Sequence, residues 1–161
     1  MIRSGQNFGV NTIFVIGGFI AEKYKGNIHK FSHQMNTQDG VSNITLLYFS
    51  ELSDFLNHLP AQTTLVLIEL FDGATELKNY KHPKNATYLF GRETTGIEAD
   101  QLTEIESYFE KLNESVPPEY LEGHKKTAHL HKIKIDTPQS LNVGVCASIV
   151  MYDARSRHAP G

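Results

Sequence analysis

Cysteine, long apolar runs and excess positive charge are all scarce in this sequence, and each scarcity excludes a class of protein. The single cysteine, Cys146, cannot form an internal disulfide, and its apolar surroundings predict a small buried side chain. No apolar run approaches the roughly 18 residues that a membrane span needs. The N-terminus also lacks a charged segment followed by a long apolar one. The sequence therefore predicts a cytoplasmic protein that has no contact with a membrane.

The net charge is slightly negative. Fifteen Lys and Arg residues against eighteen Asp and Glu residues give −3, with eight histidines counted as neutral. Proteins that hold nucleic acid over their whole surface are usually basic, so any contact with nucleic acid has to come from a local patch or from a second subunit. A length of 161 residues, 40% of them hydrophobic, predicts one globular domain with a proper core.

Short β-branched runs alternate with helical patterns along the chain, which indicates an α/β fold with a mostly parallel sheet flanked by helices. The last helix is apolar on nearly every side, so packing against the domain's own core would leave apolar surface exposed. A partner subunit would bury that remaining surface. Two caps are predicted, Ser50 and Ser140. Strands are predicted at 12–16, 44–49, 63–70, 86–90 and 132–135, and helices at 50–58, 74–80, 97–113 and 141–155.

The glycine-rich phosphate loops of nucleotide-binding proteins are missing. No G-x-G-x-x-G follows the first strand and no G-x-x-x-x-G-K-[ST] occurs, so a dinucleotide site and a P-loop are both unsupported. Two other segments are more specific. Tyr88–Ile97 (YLFGRETTGI) is a strand that runs into a turn with two glycines and a carboxylate between them. Ser140–Val145 (SLNVGV) follows another strand and opens the last helix.

These two segments resemble the second and third signature motifs of the SpoU (TrmH-like) branch of the SPOUT superfamily, whose members are RNA 2′-O-ribose methyltransferases. The opening segment Ile2–Val10 resembles the later part of the first motif, with Arg3 at the position of the motif's arginine. The resemblance covers nearly the whole chain as a single SPOUT domain, 1–161. It departs from the family in two places. The family's first strand and Asn-x-Gly loop would lie upstream of Met1, and the connection 98–134 is longer than usual.

The resemblance implies a deep trefoil knot in the C-terminal part of the chain, a feature that general topology rules would not suggest. It also implies S-adenosyl-L-methionine as cofactor, held at the knot by Ile68, Gly91, Ile135 and Ser140. A homodimer is expected, in which the partner completes each site. The substrate class is RNA, with tRNA slightly favoured over rRNA because the sequence has no separate RNA-binding segment.

Four residues are the expected catalytic groups: Arg3, Glu93, Ser140 and Asn142. The methyl donor is already activated, so the protein mainly has to align the ribose oxygen with it. The resemblance assigns deprotonation of the hydroxyl to the arginine, acting with a substrate phosphate. Arginine is a poor base because its pKa lies above about 12, so Arg3 is expected to hold the phosphate and stabilise negative charge on oxygen.

Plainer interpretations stand beside these. Ser140 also suits a helix cap, Glu93 could serve only the loop amides, and Arg3 could be a solvated surface charge. The basic, histidine-bearing stretch 124–132 matches no firm metal-ligand spacing, so no metal is expected; contact with RNA phosphates and a solvated loop both remain open. The alternative function is a catalytically dead or truncated SPOUT homolog that acts as an RNA-binding or dimerisation module.

Overall fold

The computed structural model describes residues 2–17, 44–60, 63–114 and 129–158. Contacts divide the chain into two compact units, 59–146 and a unit made of 1–58 with 147–161. The strands are β1 Thr12–Ile16, β2 Thr45–Phe49, β3 Thr64–Ile68, β4 Thr75–Glu76, β5 Ala86–Phe90 and β6 His129–Lys134. The helices are α1 Ile2–Asn7, α2 Leu52–Asn57, α3 Ala99–Glu114 and α4 Val143–His158, with a 3-10 turn at Leu77–Asn79.

The unit formed by 1–58 and 147–161 contains a parallel pair of strands. β1 and β2 pair from Thr12↔Thr45 to Ile16↔Phe49. Helix α2 buries Phe55 against this pair, and the Phe55 ring lies 5.8 Å from that of Phe49. In the same unit Ser148 of α4 donates a 2.9 Å hydrogen bond to Ser4 of α1. These contacts join segments that lie at opposite ends of the sequence.

The unit 59–146 is built on a four-stranded, all-parallel sheet in the order β4-β6-β3-β5. Every residue of β3 is buried, because this strand has a hydrogen-bonded neighbour on each side. Helix α3 packs against β6 and buries Ile105 and Phe109, which are four residues apart and share one helical face. The helix predicted at 97–113 therefore corresponds to α3, and the α/β fold with mostly parallel sheets flanked by helices is confirmed.

Two tyrosine–histidine pairs lie over one face of this sheet. Tyr88 and His131 both stand in register with Val66, so the three side chains share a face. Tyr80 shares a 2.7 Å hydrogen bond with His131, and His82 shares one of the same length with Tyr88. Burial raises the pKa of the Tyr80 hydroxyl to about 12. We call these four residues the Tyr–His cluster.

Three local predictions were wrong, each for a physical reason. The segment 74–80 is not a helix but the short strand β4 followed by a 3-10 turn. The position before α2 is Glu51, which makes no side-chain cap, so Ser50 is not the cap. Helix α4 begins at Val143, two residues later than predicted, because Asn142 and not Ser140 accepts its first free amides.

Residues 124–128 of the basic stretch fall outside the described ranges. Within those ranges, no helix is long and apolar enough to cross a membrane. The same residues contain no group of three or more His, Cys, Asp or Glu side chains arranged to hold a metal ion.

Candidate functional site

A cleft of about 240 Å³ opens at the carboxyl ends of the parallel strands in the unit 59–146. Ligands in open parallel sheets commonly bind at this edge, where the chain leaves the strands as loops. Four separate segments form the walls. They are Ile68–Leu70 after β3, Phe90–Gly96 after β5, Ile135 and Thr137 after β6, and Ser140, Leu141, Val143 and Cys146 at the start of α4.

The segment Phe90–Gly96 is a tight turn closed by two backbone hydrogen bonds. The Arg92 amide donates to the Gly96 carbonyl over 3.0 Å, and the Gly96 amide donates to the Arg92 carbonyl over 2.8 Å. A Cβ at Gly91 would overlap the backbone of Gly96 and Ile97. Gly96 itself has φ +67°, a conformation that other residues rarely adopt. Only glycine therefore fits at both ends of this turn.

Glu69 fastens this turn to the end of β3. Its Oε2 accepts a 3.2 Å hydrogen bond from the Ile97 amide, and its Oε1 accepts one of 2.9 Å from the Leu70 amide. The carboxylate lies where a side chain at Gly96 would otherwise stand. The sequence analysis missed Glu69, although its position directly after a buried strand of a parallel sheet was a usable signal.

Asn142 links the turn to helix α4. Its Nδ2 donates a 2.8 Å hydrogen bond to Glu93 Oε1, while its Oδ1 accepts from the amides of Gly144 and Val145 over 2.9 and 3.4 Å. One amide side chain therefore caps the helix and holds the carboxylate of the turn. The structure thus brings two predicted catalytic residues, Glu93 and Asn142, into direct contact.

The four predicted cofactor residues line the same cleft. Ile68 is the buried last residue of β3, Gly91 directly follows β5, and Ile135 directly follows β6. Ser140 lies in the exposed approach to α4 and also lines the cleft. Residues that are up to 72 positions apart in sequence therefore meet around one opening.

Arg3 lies in α1, in the other compact unit, and its side chain falls outside the described part of the protein. Its assignment as a catalytic residue stays a prediction.

The charged groups among the described lining residues are Glu69, Glu93 and Arg92, which leaves the cleft with one formal negative charge in excess. Glu93 and Arg92 are exposed, whereas Glu69 is half-buried. Burial raises the pKa of the Cys146 thiol, and the negative charge of Glu69 raises it further. The Glu69 carboxylate therefore acts electrostatically on a side chain of α4 that lines the same cleft.

Comparison with known proteins identifies the class. The sequence pattern of the SpoU rRNA methylase family matches residues 1–110, which is more than half of the chain. The chain belongs to this family. A search of curated proteins finds no significant match.

Among solved structures, the chain is similar to an AdoMet-bound rRNA methyltransferase from Sinorhizobium meliloti. The TM-score is 0.60 at 16% sequence identity, and the match covers 99% of this chain and 51% of that one. At this identity the likeness shows a shared fold alone. The chain spans about half the length of this relative.

Proposed function

We propose that this protein transfers a methyl group from S-adenosyl-L-methionine to a ribose 2′-hydroxyl of RNA. The observation that carries the proposal is the cleft itself. Four segments that are far apart in sequence, each with a residue expected to touch the cofactor, surround one opening at the carboxyl edge of a parallel sheet. tRNA is the first substrate to test and rRNA the second, and a cytoplasmic location stays a prediction.

The cleft residues fit the proposed cofactor. Ile68, Ile135 and Leu141 offer apolar surface for an adenine ring, and the turn at Gly91 lets a ligand approach the backbone without meeting a side chain. Glu69 supplies negative charge for a cationic ligand. These chemical features, apolar walls with a few convergent polar groups, are those of a small-molecule cofactor site.

When bound, S-adenosylmethionine would supply an activated methyl group on a positively charged sulfur, which would keep the electron pair of the S–C bond as the methyl leaves. The protein's own residues align the two reactants, and the proton of the ribose hydroxyl passes to solvent. Asn142 holds Glu93, and in this proposal Glu93 accepts a hydrogen bond from ribose. Arg3 holds a substrate phosphate and stabilises the negative charge that develops on oxygen.

The proposal includes two features of the family. One is a deep trefoil knot, whose loops form the cofactor cleft. The other is a homodimer. Supporting the homodimer, α4 exposes an apolar stripe with helical spacing, formed by Val145, Ile149 and Tyr152, which are 50%, 37% and 64% exposed. A self-complementary contact along this stripe would cover it.

The experiment for the activity uses cofactor with a labelled methyl group, the purified protein, and bulk tRNA and rRNA in separate reactions. A methylated 2′-oxygen cannot attack the neighbouring phosphate, so alkaline hydrolysis should leave the label in alkali-resistant dinucleotides. Label in mononucleotides would mean base methylation and would overturn the ribose assignment. Cofactor binding without any transfer to either RNA would favour the alternative of an RNA-binding or dimerisation module.

The experiment for the homodimer is light scattering, which should give twice the chain mass of 18.1 kDa. Ile149→Asp places a charge on the apolar stripe and should reduce the mass to that of one chain at tens of micromolar. Glu110→Lys changes charge on the exposed surface of α3 and serves as the control, with no expected change. A wild-type protein that scatters as a single chain at the same concentration would contradict the proposal.

A further inference from the structure

The Glu69 carboxylate accepts two backbone hydrogen bonds, which hold its negative charge at the wall of the cleft. Each of its oxygens accepts one backbone amide, from Leu70 and from Ile97. An ionised carboxylate has about four acceptor positions, so these two bonds leave acceptor capacity and a full charge at the cleft wall. The side chain is half-buried and is held by backbone groups on both sides, so the charge is fixed in position.

This fixed charge is not matched by an equally placed cation. Arg92 is the cation among the described lining residues, and it is exposed on the turn. Solvent screens an exposed charge more strongly than one that is partly removed from water. The electrostatic potential in the part of the cleft nearest to Glu69 is therefore negative. The pKa of the Cys146 thiol, which burial raises and the charge of Glu69 raises further, agrees with this.

We propose that Glu69 is a specificity residue that makes the cleft prefer the positively charged methyl donor over its neutral demethylated product. The inference rests on the proposed function, since it takes the ligand to be S-adenosylmethionine. The donor carries a positive sulfur that the product, S-adenosylhomocysteine, lacks, while the rest of the two molecules is the same. A fixed carboxylate in the cleft attracts the donor's extra charge and gives the product no such attraction.

Coulomb's law gives the size of the effect. A unit charge about 6 Å from another, at an effective dielectric constant of about 40, changes a dissociation constant by on the order of tenfold. Such a preference would ease product release, because the attraction disappears when the methyl group leaves and the sulfur becomes neutral. The same charge also holds Ile97, so the electrostatic role must be separated from a purely structural one.

The test is calorimetric titration of the wild-type protein and of Glu69→Gln with three ligands. These are S-adenosylmethionine, S-adenosylhomocysteine and sinefungin, in which a protonated amine replaces the charged sulfur group. Gln keeps the size of the side chain and one acceptor oxygen but removes the charge. We expect the affinity for both cationic ligands to fall about tenfold, and that for the neutral product to change less than about threefold. Asp72→Asn removes an equal charge from an exposed position outside the cleft lining and should leave all three affinities unchanged.

The outcomes separate the inference from the function on which it rests. If the wild-type protein binds none of the three ligands, the proposed function fails. If it binds them and Glu69→Gln weakens all three equally, Glu69 only holds the turn and the inference is wrong. Arg92→Gln provides a change of opposite sign, since removing the cation should increase the preference for the charged ligands.

A measurement on the unaltered protein covers the case in which Glu69→Gln does not fold. Raising the ionic strength from about 0.05 M to 0.5 M shortens the screening length, so the ratio of donor to product affinity should fall toward one. A ratio that stays constant over this range would overturn the inference without any substitution.

Discussion

The two compact units differ in how deeply their strands are buried. In the unit 59–146, every residue of β3 is buried between two hydrogen-bonded neighbours. In the other unit, no residue of β1 or β2 is buried, and among the described residues each of these strands pairs only with the other. The cleft and all four expected cofactor residues belong to the more deeply buried sheet. The site proposed for the cofactor therefore lies at the end of the sheet whose inner strand β3 is fully buried.

This comparison predicts that the two units contribute separately, with cofactor binding in 59–146 and a catalytic arginine in the other unit. Four substitutions test that division, and they are given in order of decreasing effect.

Gly91→Ala should have the largest effect, and that effect should be confined to cofactor binding in the unit 59–146. The added Cβ overlaps the backbone of Gly96 and Ile97, so the turn has to open. We expect the affinity for S-adenosylmethionine to fall at least about 100-fold, because the ligand loses a wall of its cleft. Calorimetry measures this. Gly73→Ala, at a glycine with φ +75° and no atom within 4 Å of the added Cβ, should cost about 1 kcal/mol of stability and leave binding intact. If the Gly91→Ala variant bound the cofactor as tightly as the wild-type protein, the turn would not be part of the binding site.

Arg3→Ala should remove only the catalytic arginine that the unit made of 1–58 with 147–161 contributes. Loss of a cation that stabilises developing negative charge costs on the order of 100-fold in rate, while cofactor affinity should stay the same. Single-turnover methylation of tRNA and calorimetry on one preparation give the two quantities. Arg157→Ala removes an exposed guanidinium paired with Asp153 and is the matched control. A parallel loss of binding and rate in the Arg3 variant would contradict the division between the units.

Tyr80→Phe tests whether stability of the unit 59–146 can change without a change at the cleft. It removes the hydrogen bond to His131 and should lower the free energy of unfolding by about 1–2 kcal/mol. Urea unfolding measures this, and cofactor affinity should not move. Tyr108→Phe removes the same atom from a half-buried side chain on α3 and should cost less than about 0.5 kcal/mol.

The same variant has a pH signature. The pKa of Tyr80 is about 12 in the folded protein against an ordinary value of 10.0, so the folded state holds this proton more tightly than the unfolded chain does. The resulting stability is present in full below pH 10 and is lost as the pH rises toward 12. Tyr80→Phe should reduce the fall in stability across that interval, and an unchanged slope would mean that the hydroxyl is not shielded from water.

Substitutions at Asn142 should give the smallest effects. They test a single contact of the cleft, the hydrogen bond from Asn142 to Glu93. Asn142→Ala loses the helix cap and should lower stability by about 1 kcal/mol. Asn142→Asp keeps a capping oxygen but sets a second carboxylate against Glu93, so adding Glu93→Gln should recover most of the loss. Urea unfolding of the wild-type protein, Asn142→Asp, Glu93→Gln and the double variant completes the cycle. Additive losses would show that the two side chains do not interact in solution.

The fold was predictable to the extent that burial shows in the sequence. β3 contains the fully buried apolar run Leu65–Ile68, and Ile105 and Phe109 on α3 recur at helical spacing, so the positions of both elements agree with the predictions. β5 also lies at the predicted 86–90, although none of its residues is fully buried. The strand β4 has two residues and no apolar pattern, and its place depends on pairing with β6, 58 positions away. No pattern in the neighbouring sequence predicts a pairing between strands this far apart.

The candidate site was predictable only where a family pattern spans it. Gly91, Glu93, Ser140 and Asn142 lie in the two segments that resemble family motifs, which is why the sequence points to them, and their roles stay predictions. Glu69 was not predicted, because its position directly after a buried strand marks the edge of the site but does not separate it from a solvated carboxylate until the fold places Ile97 beside it. The cap was assigned to Ser140, since both Ser140 and Asn142 suit the position and only the hydrogen bonds separate them.

The pairing of β3 with β6 also has a consequence for the time course of folding. Thr64 lies opposite His129, so 65 positions of chain must be brought together before the middle of the sheet is complete. Parallel pairings of such separation are slow to form, because the loss of chain entropy precedes any gain from contacts. Ile135 follows β6 directly, and the cleft therefore cannot close before this late strand is in place. Newly made chains should collapse first and gain the ability to bind cofactor afterwards, a delay that stopped-flow refolding with a binding signal would time. A collapse and a binding signal that rise together would mean that β6 docks early.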